Sequence, residues 1–281
     1  MTELRGMPVV KAMAAAMKPD IDALAAKNIV PTLAILRVGA REDDLAYERG
    51  AIKRFEKNGA AVRVVTLPET CSQDELEAAV DALNRDESVH SVLIFRPLPK
   101  RLSEERIRAL LDPAKDADCM TPASAAALYA GNCAYPPCTP QAVIELLTHY
   151  RIPLSGARVT LIGRSLVVGK PLALLLIGQN ATVTVCHTKT RDLADECRRA
   201  DILIAAAGRP RMVTADYVRP GQVVVDVGIN VVDGALCGDA DWDAISPVVD
   251  AATPVPGGVG TITTSVLLQN TVRAAKKAAG I

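Results

Sequence analysis

The chain has 281 residues, with 32 basic and 32 acidic side chains and so no net charge. That balance forces no basic face, so nucleic acid is not favoured as a partner. Hydrophobic residues make up 49% but aromatics only 3%, enough for a sizeable aliphatic core and two domains, and no apolar run reaches membrane-spanning length.

The start is polar and shows no leader pattern; residues 7–17 read as a short helix containing Lys11. From there apolar strands alternate with helices. Strands are expected at 31–38, 61–67 and 90–95, with helices at 43–58, 72–86 and 103–111. Ser72 and Glu75 have the spacing of a capping box at the start of 72–86. Prolines 136, 137 and 140 interrupt the pattern. A helix at 141–150 then leads into a second alternation, with strands at 159–162, 181–186, 201–208 and 222–228 and helices at 172–177 and 190–199. Residues 253–260 are a glycine- and proline-rich loop, and a last helix runs from 263 to 279. Continuous apolar strands alternating with helices make a parallel sheet covered on both faces, so the fold class is α/β.

The second alternation carries the first chemical signal. Its opening strand ends in Gly163-Arg164-Ser165, and a second glycine, Gly169, stands six residues after the first, where a helical pattern begins. A glycine turn between strand and helix aims free N–H groups at an anion, the usual cradle of a dinucleotide phosphate. The end of the next strand reads Cys186-His187-Thr188-Lys189-Thr190-Arg191 and has no carboxylate before Asp192. An acidic residue there would accept the ribose hydroxyls of NAD. Cations at Arg164, Lys189 and Arg191, with the hydroxyls of Thr188 and Thr190, suit a 2′-phosphate instead, so the expected cofactor is NADP. The alternative for Lys189 and Arg191 is an ordinary solvated helix start. Seven cysteines without a C-x-x-C pair read as thiols of a reducing cytoplasm, and three scattered histidines offer no metal site.

The motifs, taken together, resemble the methylenetetrahydrofolate dehydrogenase/cyclohydrolase family. Val38-Gly39 followed by Tyr47 resembles its first signature, and Pro97-Leu98-Pro99 the end of its Q-L-P-L-P loop. Lys115-Asp116-Ala117-Asp118 resembles K-D-V-D-G, and Pro137-Cys138-Thr139-Pro140 its domain junction. Gly163-Arg164-Ser165, Cys186-His187-Thr188, Asp226-Val227-Gly228-Ile229-Asn230 and residues 253–260 follow in family order.

The resemblance implies a three-layer α/β folate domain at 1–137, completed by the helix 263–281, and a Rossmann-like NADP-binding domain at 138–262. It implies a cytoplasmic homodimer acting on tetrahydrofolate derivatives. Hydride leaves the methylene bridge for NADP, and water then opens the methenyl ring. Catalytic roles fall on Tyr47 and Asp118, the latter binding the pterin, whose donor edge suits a carboxylate. Asp116 beside it is a second carboxylate with a possible structural role. Folate contacts are implied for Tyr47, Asp118, Phe95, Gly258 and Thr261. Cofactor contacts are implied for Gly163, Arg164, Ser165, Gly169, His187, Thr188, Lys189 and Ile229.

The chain departs from the family at its chemical centre. The Tyr-x-x-x-Lys pair reads Tyr47-Glu48-Arg49-Gly50-Ala51, so alanine stands at the lysine, one helical turn from the tyrosine. Lys53 is rotated about 240° from Tyr47 at ~3.6 residues per turn. Arg54 shares the tyrosine's face, but a guanidinium stays protonated. Phe95 stands at the family's glutamine, Arg96 at its leucine and Asp44 at its serine. Hydride transfer is mainly positioning, whereas ring opening needs proton transfer. The expected activity is therefore dehydrogenation with weak or absent cyclohydrolase activity. Rival readings are a fully bifunctional enzyme, a silent nucleotide- or folate-binding paralogue, and a dehydrogenase for another substrate.

Overall fold

The structure is a computed structural model that describes residues 1–281. Strand β1 (Thr2–Glu3) and helix α1 (Gly6–Ala25) open the chain. Helix α1 outruns the expected 7–17 because Val10, Met13, Met17, Ile21 and Leu24 continue one buried stripe past Pro19.

Two compact units divide the chain. One comprises Met13–Pro136 and Thr264–Ile281, the other Met1–Ala12 and Pro137–Thr263. In the first unit the order is β2 (Thr32–Val38), α2 (Glu42–Lys57), β3 (Ala61–Leu67), α3 (Gln73–Arg85), β4 (Ser91–Ile94), α4 (Glu104–Leu110) and α5 (Pro122–Tyr129). The sheet is parallel in the order β3-β2-β4. Central strand β2 has Leu33, Ala34, Ile35 and Leu36 fully buried, as a strand covered on both faces must. Ser72 and Glu75 do form the capping box of α3. The other end of α3 is closed by Lys115, whose Nζ donates to the Leu83 and Asp86 carbonyls. Helix α5 went unrecognised in the sequence, although Thr121-Pro122 is a hydroxyl cap followed by a first-turn proline.

The second unit contains α6 (Cys138–His149), β5 (Arg158–Ile162), α7 (Gly169–Gly178), β6 (Thr182–Cys186), α8 (Leu193–Arg198), β7 (Ile202–Ala205), β8 (Val223–Asp226), β9 (Asn230–Val232), β10 (Ala235–Cys237), α9 (Trp242–Ile245) and β11 (Ala251–Ala252). Its main sheet is parallel, in the order β1-β11-β8-β7-β5-β6. The α/β class with parallel sheets is thus as expected.

Three boundaries differ from the sequence reading for physical reasons. Residues 1–12, expected with the folate domain, group with the second unit because β1 pairs with β11. Helix α6 starts at Cys138 rather than 141, because Pro140 lies in the first turn, where its missing N–H has no intrahelical partner to lose. Helix α8 starts at Leu193 rather than 190. Residues 187–190 close a tight turn instead, with the His187 N–H donating to Thr190 Oγ1 and the Lys189 N–H to His187 Nδ1. Lys189 and Arg191 therefore precede the helix and do not belong to its first turn.

Helix α10 (Thr263–Ala278) ends the chain, and from Thr264 onward it belongs to the first unit. Its Thr271 hydroxyl lies 2.7 Å from that of Ser91, and Asn270 donates to the Ala117 and Pro136 carbonyls.

Candidate active site

In the first unit, β2 and β4 are parallel neighbours with Leu36 opposite Ile94, so the chain leaves both strands at one sheet edge. A parallel bridge from Val92 to Asp116 brings residues 115–118 to the same edge. This is where α/β sheets place ligands. It gathers Tyr47, Phe95 and Asp118.

Tyr47 stands on α2 and meets Phe95 edge to face, with ring centroids 5.9 Å apart. One turn further along, Ala51 is completely buried. Lys53 is exposed, while Arg54 is partly buried and its pKa is lowered by that burial.

The charged residues around this pair interlock. Arg41 makes two 2.8 Å bonds to Asp44, which raise the arginine's pKa, and a third to the Arg96 carbonyl. Arg96 in turn places its guanidinium 3.5 Å from both Glu104 and Asp118. Asp44 and Arg96 thus tie the start of α2 to the loop after β4. Asp118 faces a cation, and its side chain is 20% exposed. Asp116 differs: it is fully buried and accepts from the Met120 and Thr121 N–H groups, so its work is to hold the turn that carries Asp118.

In the second unit, the turn after β5 folds back on itself. Gly163 has φ +128°, and a Cβ there would sit 2.1 Å from the Ala206 carbonyl oxygen. A Cβ on Gly169 would sit 2.4 Å from the Gly163 oxygen. The six-residue glycine spacing is therefore a requirement of close backbone packing. Ser165 Oγ accepts from the Val168 and Gly169 N–H groups at the start of α7. Gly163, Arg164, Ser165, His187 and Thr188 share a cavity of about 240 Å³. Arg209, from the loop after β7, also lines it, and no local sequence pattern marks this residue. Lys189 is exposed beyond the wall of this cavity.

A second cavity of about 230 Å³ is lined by Asp226, Ile229, Gly258 and Thr261 among others. The residues given separately to cofactor (Ile229) and to folate (Gly258, Thr261) thus share one wall within this unit. A Cβ on Gly258 would meet the Pro254 carbonyl at 2.6 Å, so the loop closes on its own backbone.

Two buried aspartates brace both cavities. Asp239 accepts from the N–H groups of Ala207, Gly208 and Arg209 and from Asn230 Nδ2. Asp226 accepts from the N–H groups of Gly228, Asp239 and Ala240. Burial raises the Asp226 pKa from 3.8 to about 6, against those three donors, which favour its charged form. The folded chain therefore holds this proton where the unfolded chain has released it. The resulting stabilisation is complete below about pH 4 and is lost as pH rises through about 6, at most about 3 kcal/mol. Urea unfolding between about pH 4 and about pH 7 should show the native chain losing stability relative to Asp226→Asn by up to this amount. Parallel pH profiles for the two proteins would contradict it.

The geometry places a glycine cradle in one unit and a tyrosine–carboxylate site in the other, and the comparisons with known proteins divide the chain in a similar way. The model for the tetrahydrofolate dehydrogenase/cyclohydrolase catalytic domain matches residues 4–118. The model for the NAD(P)-binding domain of the same family matches residues 137–279. The chain belongs to the tetrahydrofolate dehydrogenase/cyclohydrolase family. Among its relatives is the bifunctional protein FolD of Carboxydothermus hydrogenoformans, 50% identical over 275 residues and 96% of each chain. The methylenetetrahydrofolate dehydrogenase/cyclohydrolase FolD structure from Campylobacter jejuni superposes with a TM-score of 0.95 at 38% identity, covering 99% of each chain. The Trypanosoma brucei dehydrogenase-cyclohydrolase, solved with NADP and an inhibitor, gives 0.94 at 34% identity, covering 100% of this chain and 99% of that one. No helix is long and apolar enough to cross a membrane.

Proposed function

We propose that this member of the family oxidises 5,10-methylenetetrahydrofolate with NADP and opens the methenyl ring only weakly. The observation that carries the reading is the contrast between the two sites. The glycine cradle at Gly163 and Gly169 is packed too closely for any side chain, whereas Ala51 fills a closed position where an ammonium would be needed.

The cradle fits a dinucleotide. Gly163 and Gly169 let the turn fold tightly on its own backbone, and Ser165 orders the start of α7, the helix end at which a pyrophosphate would bind. Arg164 lines the cavity with His187 and Thr188, Lys189 stands exposed just after them as a second cation for a 2′-phosphate, and Ile229 lines the second cavity of the same unit. NADP bound there would accept the hydride. On the folate side, Asp118 accepts from the pterin edge, and the edge-to-face pair of Tyr47 and Phe95 supplies an aromatic wall beside it. Gly258 and Thr261 contribute from the closing loop. None of these roles demands a strong base, because hydride transfer is governed by the alignment of donor and acceptor.

Ring opening is different. A proton must leave an attacking water, and positioned acid–base help is worth roughly 10²–10⁴-fold. Tyr47 packs on Phe95, and the cation on its helix face, Arg54, is a guanidinium that does not deprotonate in proteins. The reading of a fully bifunctional enzyme is favoured by the names of the relatives, which include bifunctional FolD proteins. Self-association is assigned to the second unit, whose sheet ends in the uncovered edge of β6, with Val185 exposed.

Cofactor choice is tested by initial dehydrogenase rates with each dinucleotide. NADP should exceed NAD by roughly tenfold or more in kcat/KM, the worth of one charge-assisted contact to the extra phosphate. Equal or better rates with NAD would remove Arg164 and Lys189 from the 2′-phosphate.

A further inference from the structure

Five of the seven cysteines are buried; Cys119 and Cys133 are half-exposed. Their sulfurs lie 3.8 Å apart although the residues are separated by 14 positions in the chain. Cys119 directly follows Asp118 and holds φ +55°, a left-handed conformation that costs a residue with a side chain roughly 1 kcal/mol. Cys133 lies in the loop after α5. Both arms of the pair are pinned by one fully buried side chain, since Asn270 Nδ2 donates to the Ala117 carbonyl at 3.0 Å and to the Pro136 carbonyl at 2.9 Å. The sulfurs are therefore held together by the framework.

We propose that Cys119 and Cys133 are a reversible disulfide site that lowers folate affinity when oxidised by a peroxide. Two thiols and one peroxide yield one disulfide and, with hydrogen peroxide, two waters. The Cys133 thiolate attacks the O–O bond and becomes a sulfenic acid; the Cys119 thiol then displaces water and forms the S–S bond. Two electrons pass from the sulfur pair to the peroxide. The order follows from the surroundings. The 3.8 Å sulfur–sulfur contact with Cys119 and a hydrogen bond from the Tyr135 N–H lower the pKa of Cys133. The same thiol contact, burial, and the nearby Asp116 and Asp118 raise that of Cys119.

Closing the bond draws the sulfurs about 1.8 Å closer together than their present 3.8 Å. Asn270 restrains the backbone at 117 and 136, and Asp116 restrains it at 120 and 121. The share of the displacement that the Cys119 arm takes therefore falls at 118–119, where Asp118 faces Arg96. This consequence rests on the reading that Asp118 binds folate.

The test uses the full chain, reduced, desalted and exposed to hydrogen peroxide, then alkylated, digested and weighed. The expected result is a linked peptide joining Cys119 and Cys133, reversed by dithiothreitol. The folate KM should rise roughly tenfold, with NADP affinity unchanged. Cys133→Ser should keep the folate KM of the reduced chain and lose the response to peroxide. Alkylation of all seven thiols after treatment, or linkage of a different pair, would overturn the proposal. So would a linked peptide with an unchanged folate KM. In that last case Asp118→Asn separates two failures: if it raises the KM, only the coupling to the disulfide is wrong, and if it does not, the folate role of Asp118 falls as well.

Discussion

Gly163→Ala is expected to cost the protein at least about 100-fold in NADP affinity, about 3 kcal/mol. Two effects act together. The backbone holds φ +128°, outside what a side-chain-bearing residue adopts comfortably, and the new Cβ would be placed 2.1 Å from the Ala206 carbonyl oxygen. That carbonyl has little room to retreat. The Ala206 N–H donates to Ile162, and the next three N–H groups are all bound by Asp239. The turn itself has to open, which displaces Ser165 and the first N–H groups of α7. Calorimetric titration with NADP measures the loss, and circular dichroism checks that the helices remain. Binding within threefold of the native value would contradict the assignment of this turn as the cradle.

Asp118→Asn is expected to lower kcat/KM for methylenetetrahydrofolate by roughly 100-fold, the worth of a charged hydrogen bond in a partly buried site. The carboxylate is an acceptor on both oxygens, matched to the donor edge of a pterin. An amide presents one acceptor and two donors, and it leaves Arg96 with Glu104 as its remaining charged neighbour at 3.5 Å. NADP affinity should not change. Unchanged turnover would make Asp118 a structural partner of Arg96 and no more.

The sequence showed more of the scaffold than of the site. Strand β2 and helix α3 were legible because burial on both faces and a capping box leave local marks. The glycine spacing at 163 and 169 was legible, and for Gly169 the cause is local, the backbone of Gly163; for Gly163 it is a contact with Ala206, some forty residues away, that no local pattern records. Helix α5 was missed, and so was the hairpin of β9 and β10, whose Asp233-Gly234 turn was a usable signal. Arg209, and the bracing roles of Asp226 and Asp239, were beyond sequence reasoning, because the two carboxylates bind backbone groups brought near by the sheet and Arg209 enters its cavity from a loop. Ala51 and Phe95 stand out in the sequence only through the resemblance, which implies a lysine and a glutamine there. The Arg41–Asp44 and Arg96–Asp118 pairs that accompany them needed coordinates.

The central claim is an unequal pair of activities, and one preparation can test it. Formation of the methenyl compound from methylenetetrahydrofolate and NADP gives the first rate. Disappearance of methenyltetrahydrofolate without cofactor, corrected for spontaneous hydrolysis, gives the second. The account predicts a clear dehydrogenase rate and an enzymatic ring-opening rate lower by roughly 100-fold or more, the contribution of missing acid–base help. Ring opening at a rate comparable to hydride transfer would contradict it, and would mean that this site moves the proton without a lysine one turn from Tyr47.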